Sequence, residues 1–451
     1  MRRTDMLSSA GSQAATNEAG NKVVTVGRRT HVTWQDVTPE GYFNRVRTLD
    51  LDSGAWSETC TLGSAYDDHA RAVMVADGDG FLHAILSGHN TPCTYRRSQR
   101  ANDAAGWTDP VPVADGTYPY LVCGPGGDLF LALRNAERWN GVELYTKPHD
   151  GPWRHVGKVI ERLADYPGYA AFHCGFCFDG DGVLHLVSDF YEGFGVWEER
   201  GLHQAVAYLQ SPDGGRTWRT YRGEPAATPA RPCAMDVICQ STGLRHEPMP
   251  PPVLAAQGNI ALDAAGVPHV LYLYHLNRAG ELILAAPDGQ GIWRQRSIDA
   301  LERAWPHHRA AICRGTFTID ADGVMRALVT MTPADHSVWA GHLPSRPGLA
   351  GMSGGATPEP GTAGDNPVAW LISTDGGKTF SVREALCGEA GARSPKYELP
   401  VSGGPARTPD EVRAGGILYF DRTSHHLPGF PEDGGYQNRV YYCRDSAWGS
   451  A

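Results

Sequence analysis

Alternation of apolar and polar positions dominates the chain, with a recurring phrase in it: a Gly-containing turn followed by an alternating strand. The phrase reads "DGDGFLHAIL" from Asp77, "GPGGDLFLAL" from Gly124 and "DGDGVLHLVSDF" from Asp179. It returns as "LDAAGVPHVLYLYH" from Leu262 and "IDADGVMRALVTM" from Ile319, with weaker copies at Asn21 and Gly415. About seven such hooks, roughly 50 to 80 residues apart, fall in or above the spacing of propeller blades. Between them "GVELYTKP", "HQAVAYLQS" and "NPVAWLIST" read as further strands. Helical periodicity persists nowhere beyond a turn or two; "IDALERAW" near Ile298 reads as one short helix.

Two turns are near copies, "SPDGGRTW" at Ser211–Trp218 and "STDGGKTF" at Ser373–Phe380. The Asp side chain can accept from backbone N–H groups, the Gly pair supplies positive φ, and the aromatic packs beneath. This is the Asp-box (BNR) turn, a structural device. The pattern predicts an all-β chain: a seven-bladed β-propeller over residues 21–451, after a disordered lead-in at 1–20. A six-bladed ring or a double-sheet sandwich is the alternative. Residues 348–366, rich in Gly, Pro and Thr, read as a flexible insertion. Ala226–Pro252 reads as a long excursion between blades.

Composition narrows the partners. Among 451 residues there are 54 Gly and 32 Pro, which suits many turns. No apolar run approaches the ~18 residues of a membrane helix. The net charge of −10, with no long Lys/Arg stripe, argues against nucleic acid. A local Arg cluster still suits an anionic ligand. The ten Cys form no dense framework, and the start of the sequence has no apolar leader core. These features point to free thiols in a reducing, cytoplasmic setting, or to a secreted protein whose leader was trimmed. A monomer is expected.

Some polar residues exceed what a core or a turn needs. The strand "FLHAIL" runs into Gly88-His89-Asn90, then a Pro, Tyr95 and Arg96. His69 precedes another apolar strand twenty residues earlier; Tyr118 sits at a strand entrance, and Arg134-Asn135 closes the next hook. In a propeller such strand ends crowd one face, where function usually sits. Two imidazoles, a phenol and a guanidinium suit lytic cleavage of a uronic-acid glycan. A guanidinium pairs with the uronate carboxylate, a neutral His takes the C5 proton, and a phenol protonates the departing oxygen. The scheme requires no metal or cofactor, and no structural zinc or calcium is predicted.

The stretch "DDHARAVMVADGDGFLHAILSGHNTPCTYRRS", followed by "TYPYLV" and "GDLFLALRN", resembles the BNR-4 repeat group. That group includes seven-bladed ulvan lyases and related rhamnose–glucuronate-cleaving propellers. The likeness is good from about Tyr66 to Asn140, moderate to Trp218 and thin beyond. It implies a polysaccharide lyase with His69, His89, Tyr118 and Arg134 as catalytic residues, Arg134 neutralising the carboxylate. Which His is the base stays open. Asn90, Tyr95, Arg96, Asn135, Trp139 and His203 are the expected substrate contacts for an anionic polysaccharide or oligosaccharide. The sequence departs from the group at Thr91, where Asn is usual, and in "NAERWNG" after the Arg, where Glu137 discourages a polyanion and Trp139 offers a stacking platform.

Other polar residues read as structural. His83, His185 and His269 alternate with apolar neighbours inside their hooks. His173, Cys174 and Cys177 in "FHCGFC" resemble half a zinc site, but no second C-x-x-C accompanies them. The adjacent His pairs at 307–308 and 425–426 read as loop residues. Two other functions remain open: a glycoside hydrolase on the same scaffold, such as an exo-rhamnosidase, and a non-catalytic carbohydrate-binding propeller.

Overall fold

The computed structural model describes residues 2–12, 14–17, 19–137, 140–162, 170–193, 201–240, 253–276, 279–312, 315–333, 368–386, 393–396, 416–420 and 438–445. The expected insertion at 348–366, Trp139 and the His pair at 425–426 lie outside them, as does the side chain of His203.

The chain is all-β. Its first strands are β1 (Arg2–Gly11), β2 (Val23–Val26), β3 (Arg29–Thr38), β4 (Gly41–Asp50) and β5 (Cys60–Ala65). Next come β6 (Ala72–Ala76), β7 (Leu82–Leu86), β8 (Thr91–Arg100), β9 (Asp103–Trp107) and β10 (Val111–Cys123). They are followed by β11 (Leu129–Asn135), β12 (Gly141–Lys147) and β13 (Arg154–Glu161). The one described α-helix, Ala300–Ala304, falls within the helix expected from the sequence.

The described strands form five sheets with antiparallel ladders. One runs β13-β12-β11-β10-β8-β7-β6, with β9 on β8. Three others centre on the pairs Leu184–Gly193 with Gly201–Ser211, Pro268–Leu276 with Ala279–Pro287, and Met325–Pro333 with Val368–Ser373. The fifth joins the two ends of the sequence: β1 lies between Asn438–Asp445 and β3.

That placement corrects the expected lead-in. Residues 2–11 are a strand paired from Arg2 against Asp445 to Gly11 against Asn438, with the register shifting between Met6 and Ser8 and again between Ser8 and Gly11. Leu7 packs with Trp34, Val440 and Tyr442, and Ser12 Oγ donates to Gln35 Oε1 at 2.8 Å. The segment looks unstructured because only Leu7 and Gly11 of β1 are buried. Its order comes from backbone pairing with residues more than four hundred positions away.

The repeated hooks share one local chemistry. Asp77 Oδ1 accepts from the N–H groups of Asp79 (3.0 Å) and Phe81 (2.8 Å). Its other oxygen meets His83 Nε2 at 2.9 Å. Asp179 with His185 and Asp263 with His269 repeat the arrangement. Asp320 with Arg326 and Asp288 with Arg294 do so with guanidinium partners. The three hook histidines are therefore structural, spent on the aspartate that caps their own turn. The Asp-box turns form as expected. Thr217 N–H donates to Asp213 Oδ1 at 2.8 Å and Thr379 N–H to Asp375 Oδ1 at 2.9 Å. At Gly215 (φ 90°) a Cβ would meet Leu144 Cδ2 at 2.1 Å, so glycine allows both the backbone and the packing there.

Apolar clusters join each group of strands to the next. One links β2–β5 to β6–β9, another β6–β8 to β10–β11, and a third β10–β13 to the sheet of Leu184–Gly193. The series continues through the later sheets and returns to β3 through Leu418, Phe420 and Tyr442. Leu7→Ala should destabilise the fold by about 2–5 kcal/mol, the usual cost of emptying a buried leucine site. Deletion of residues 2–11 should cost more. Urea unfolding measures both; a Leu7→Ala change within about 0.5 kcal/mol, as for a surface substitution, contradicts the strand's role.

Candidate active site

The turn before β6 is fixed from β3 and β4. Gln35 Nε2 donates to the Asp67 carbonyl (3.0 Å), while Asn44 donates to the Ala70 carbonyl (2.9 Å) and accepts from Ala72 N–H (2.8 Å). Asp67 Oδ1 accepts from the His69 N–H at 2.8 Å. The turn after β7 is as constrained. A Cβ at Gly88 would lie 2.0 Å from the Thr91 carbonyl oxygen, so only glycine fits there. Asn90 follows in the left-handed region at φ 58°, and its N–H donates to Thr117 Oγ1 at 3.0 Å.

β10 serves two partners. Val111–Gly116 pairs with β8, Gly116–Cys123 with β11, and the second ladder breaks register between Thr117 and Tyr120. Tyr118, at φ 57°, sits in that break and leaves the ladder. Arg134, near the end of β11, reaches back. Its Nη2 donates to Asn90 Oδ1 at 3.2 Å, its Nη1 to the Ala170 carbonyl at 3.3 Å, and its Cζ lies 4.5 Å from the Tyr118 ring centroid. A hydrogen bond to a charged group contributes about 1.5–3 kcal/mol. That matches the roughly 1–2 kcal/mol cost of a left-handed residue, which Asn reduces.

The structure thus brings His69, His89, Tyr118 and Arg134 into one connected group. The His69 and His89 rings stack at 4.0 Å between centroids, 19° from parallel. His89 Nδ1 lies 2.5 Å from Asp67 Oδ2. A carboxylate only accepts, so Nδ1 carries a proton and donates it to Asp67. His69 Nδ1 lies 2.9 Å from Asp68 Oδ1 and 3.4 Å from Asp67 Oδ2. Its N–H is aligned with neither oxygen, so the attraction is charge on charge rather than a directed bond. Burial opposes charge on His69, but the contacts with Asp67 and Asp68 outweigh it and lift its pKa to about 10. Asp67 is held well below the usual carboxylate range: burial works against its charge, and its contacts with His69 and His89 prevail.

Sequence reasoning missed three members of this group: Asp67, His173 and Asp189. The His173 ring lies 5.0 Å from that of Tyr118. Its backbone N–H and Nδ1 both meet Asp189 Oδ1, at 2.9 and 3.2 Å. The buried Asp189 also accepts from the N–H of Gln257, another left-handed residue. The available signals were the two Asp before His69 and the His in "FHCGFC", which drew attention as half a zinc site. Cys174 and Cys177 settle that reading: Cys174 is buried in one apolar cluster and Cys177 packs against another, so they do not share a face.

Asp67, His69 and His89 are the one group among the described residues compact enough to hold a metal ion. Their fit is poor. Both Nδ1 atoms already face Asp67 Oδ2, at 2.5 and 3.4 Å, so the cluster is closed on its own carboxylate. The arrangement suits protons better than an ion.

Three expected substrate contacts are corrected. Tyr95 is buried, its hydroxyl 2.7 Å from His83 Nδ1. Arg96 is tied to the carbonyls of Thr108 (2.7 Å) and Leu62 (2.5 Å). Asn135 clamps its own loop through Asn140 and Glu143. Asn90 belongs to the site, but its carboxamide oxygen is occupied by Arg134. Arg134 itself is 1% exposed, behind the Tyr118 ring, and does not present its guanidinium to solvent.

In its fold the chain is similar to solved polysaccharide lyases. A PL25 ulvan lyase aligns with a TM-score of 0.69 and 16% identity, covering 97% of this chain and 95% of the lyase. A structure of a PL25 ulvan lyase bound to -[GlcA(1-4)Rha3S]- aligns with a TM-score of 0.68 at the same identity and coverage. Polysaccharide lyase Uly1 aligns with a TM-score of 0.62 and 10% identity over 98% of this chain and 99% of that one. At such identities the likeness is one of fold. No curated protein sequence matches the chain. A family model does, over residues 19–301, which span every side chain of the connected group: the protein belongs to the BNR repeat-containing family, the BNR_4 group.

Proposed function

We propose that the protein is a polysaccharide lyase that cleaves a uronic-acid-containing glycan by β-elimination. The observation that carries this reading is the continuous group His69–His89–Asn90–Arg134–Tyr118 at neighbouring strand ends. In this reading a base removes the C5 proton and the carboxylate delocalises the resulting charge. The C4–O bond breaks, a C4=C5 double bond forms, and an acid protonates the departing oxygen. Tyr118 is the acid. The Arg134 cation behind its ring stabilises the phenolate left after transfer. An ulvan-like or rhamnose–glucuronate polymer is the preferred substrate, since a lyase of this fold has been solved with such an oligosaccharide.

We further read the scaffold as a seven-bladed propeller. Seven apolar clusters among the described residues, in a series that returns from the last strands to β3, support this count. With that closure the turns before β6 and after β7 share one face with the Tyr118 bend.

The test is turnover of uronate polymers followed by the ultraviolet absorbance of the new conjugated double bond. Rising absorbance across at least one ulvan-like or glucuronate-containing polymer is expected. Release of reducing ends without it points to hydrolysis, and binding without turnover to a lectin-like role. His89→Ala and Tyr118→Phe should each lower kcat about 100-fold or more, the usual share of a general acid or base. A loss of less than about 3-fold in either variant removes that residue from the acid–base pair.

A further inference from the structure

The two histidines are not equivalent, and their surroundings divide the work between them. His69 faces two carboxylates, from Asp67 and Asp68 on its own turn. Arg71 of the same turn is an opposing cation, and its Nη1 donates to the Asp68 carbonyl. From the β7–β8 turn the His89 ring stacks on it, while Gln35 and Asn44, which pin the turn from β3 and β4, are neutral. His89 contacts Asp67 alone, through the same oxygen that lies near His69. Two imidazolium rings stacked at 4.0 Å would repel each other, and the ring with two carboxylates is the better host for the shared charge.

Access leads to the same division. The side chains of His69 and His89 are 17% and 18% exposed, whereas Arg134 is sealed behind Tyr118. A uronate carboxylate that reaches this face meets the imidazole pair before it meets the guanidinium.

We propose that His69 is a standing imidazolium that binds the uronate carboxylate, and that Asp67 is a positioning residue that fixes a His89 proton on Nδ1 and so aims Nε2 at the C5 proton. The carboxylate half of this assignment rests on the lyase reading; the charge on His69 does not. Arg134 then acts on Tyr118 and Asn90 rather than on the substrate.

Histidine-selective 15N NMR of the full chain across pH tests the assignment, with the His69 signals identified by their absence in His69→Gln. Both ring nitrogens of His69 should stay protonated at least two units above the ordinary midpoint of ~6.5. In Asp68→Asn, which keeps the side-chain volume, that midpoint should fall by more than one unit. A His69 ring that is neutral at pH 8 in the wild-type protein overturns the proposal, whether or not the variant folds. Kinetics separate the two layers. With turnover established, Asp67→Asn should shift the acidic limb of the kcat profile, and Asp68→Asn should raise KM for uronate polymer at alkaline pH with little change in kcat. Unchanged profiles in both variants contradict the division of labour. A charged His69 without uronate turnover removes the carboxylate half together with the lyase reading and leaves the charge assignment standing.

Discussion

A buried guanidinium needs partners for its protons, and the site is arranged around that requirement at Arg134. Its two terminal nitrogens reach Asn90 Oδ1 and the Ala170 carbonyl, and its flat face lies against Tyr118. Leaving such a group unpaired would cost several kcal/mol. The bond to Asn90 holds the turn after β7 against β10 and β11, and so fixes where His89 stands. The left-handed residues Asn90 and Tyr118 both belong to this arrangement, as expected where backbone strain serves a site.

Much of this was legible in the sequence, for local reasons. The Asp-box turns and the Asp–Gly–His hooks close on themselves within eight residues, so their residue types state their geometry. The spacing of His69, His89, Tyr118 and Arg134 pointed to strand ends that the fold brings together, because each residue flanks a clear alternating run. β1 was illegible since its partners lie at the other end of the sequence. Tyr95 and Arg96 misled because polar density after a strand resembles a site. Yet Cys93 and Tyr95 alternate as buried positions of β8, and Arg96 spends its donors on backbone carbonyls. The roles of Asp67 and Asp68 were hidden for a different reason. An acidic residue beside a histidine is ordinary in sequence, and only the fold decides which imidazole each carboxylate meets.

The resulting electrostatics differ from the simplest reading of the residues. What the distances and burial give is a stacked histidine pair over shared carboxylates and a phenol ring backed by a guanidinium. His173, held by Asp189 beside Tyr118, extends the group toward the sheet of Leu184–Gly193. The site therefore spans more than one sheet, and its geometry depends on how those sheets pack.

The most direct measurement is a crystal structure of His89→Ala with an uncleaved uronate oligosaccharide. The account requires the uronate carboxylate against His69, C5 facing the space left by the missing ring, and the scissile oxygen within hydrogen-bonding reach of the Tyr118 hydroxyl. A sugar bound on another face of the sheets, or one whose carboxylate turns away from the 69–89 pair, would contradict it.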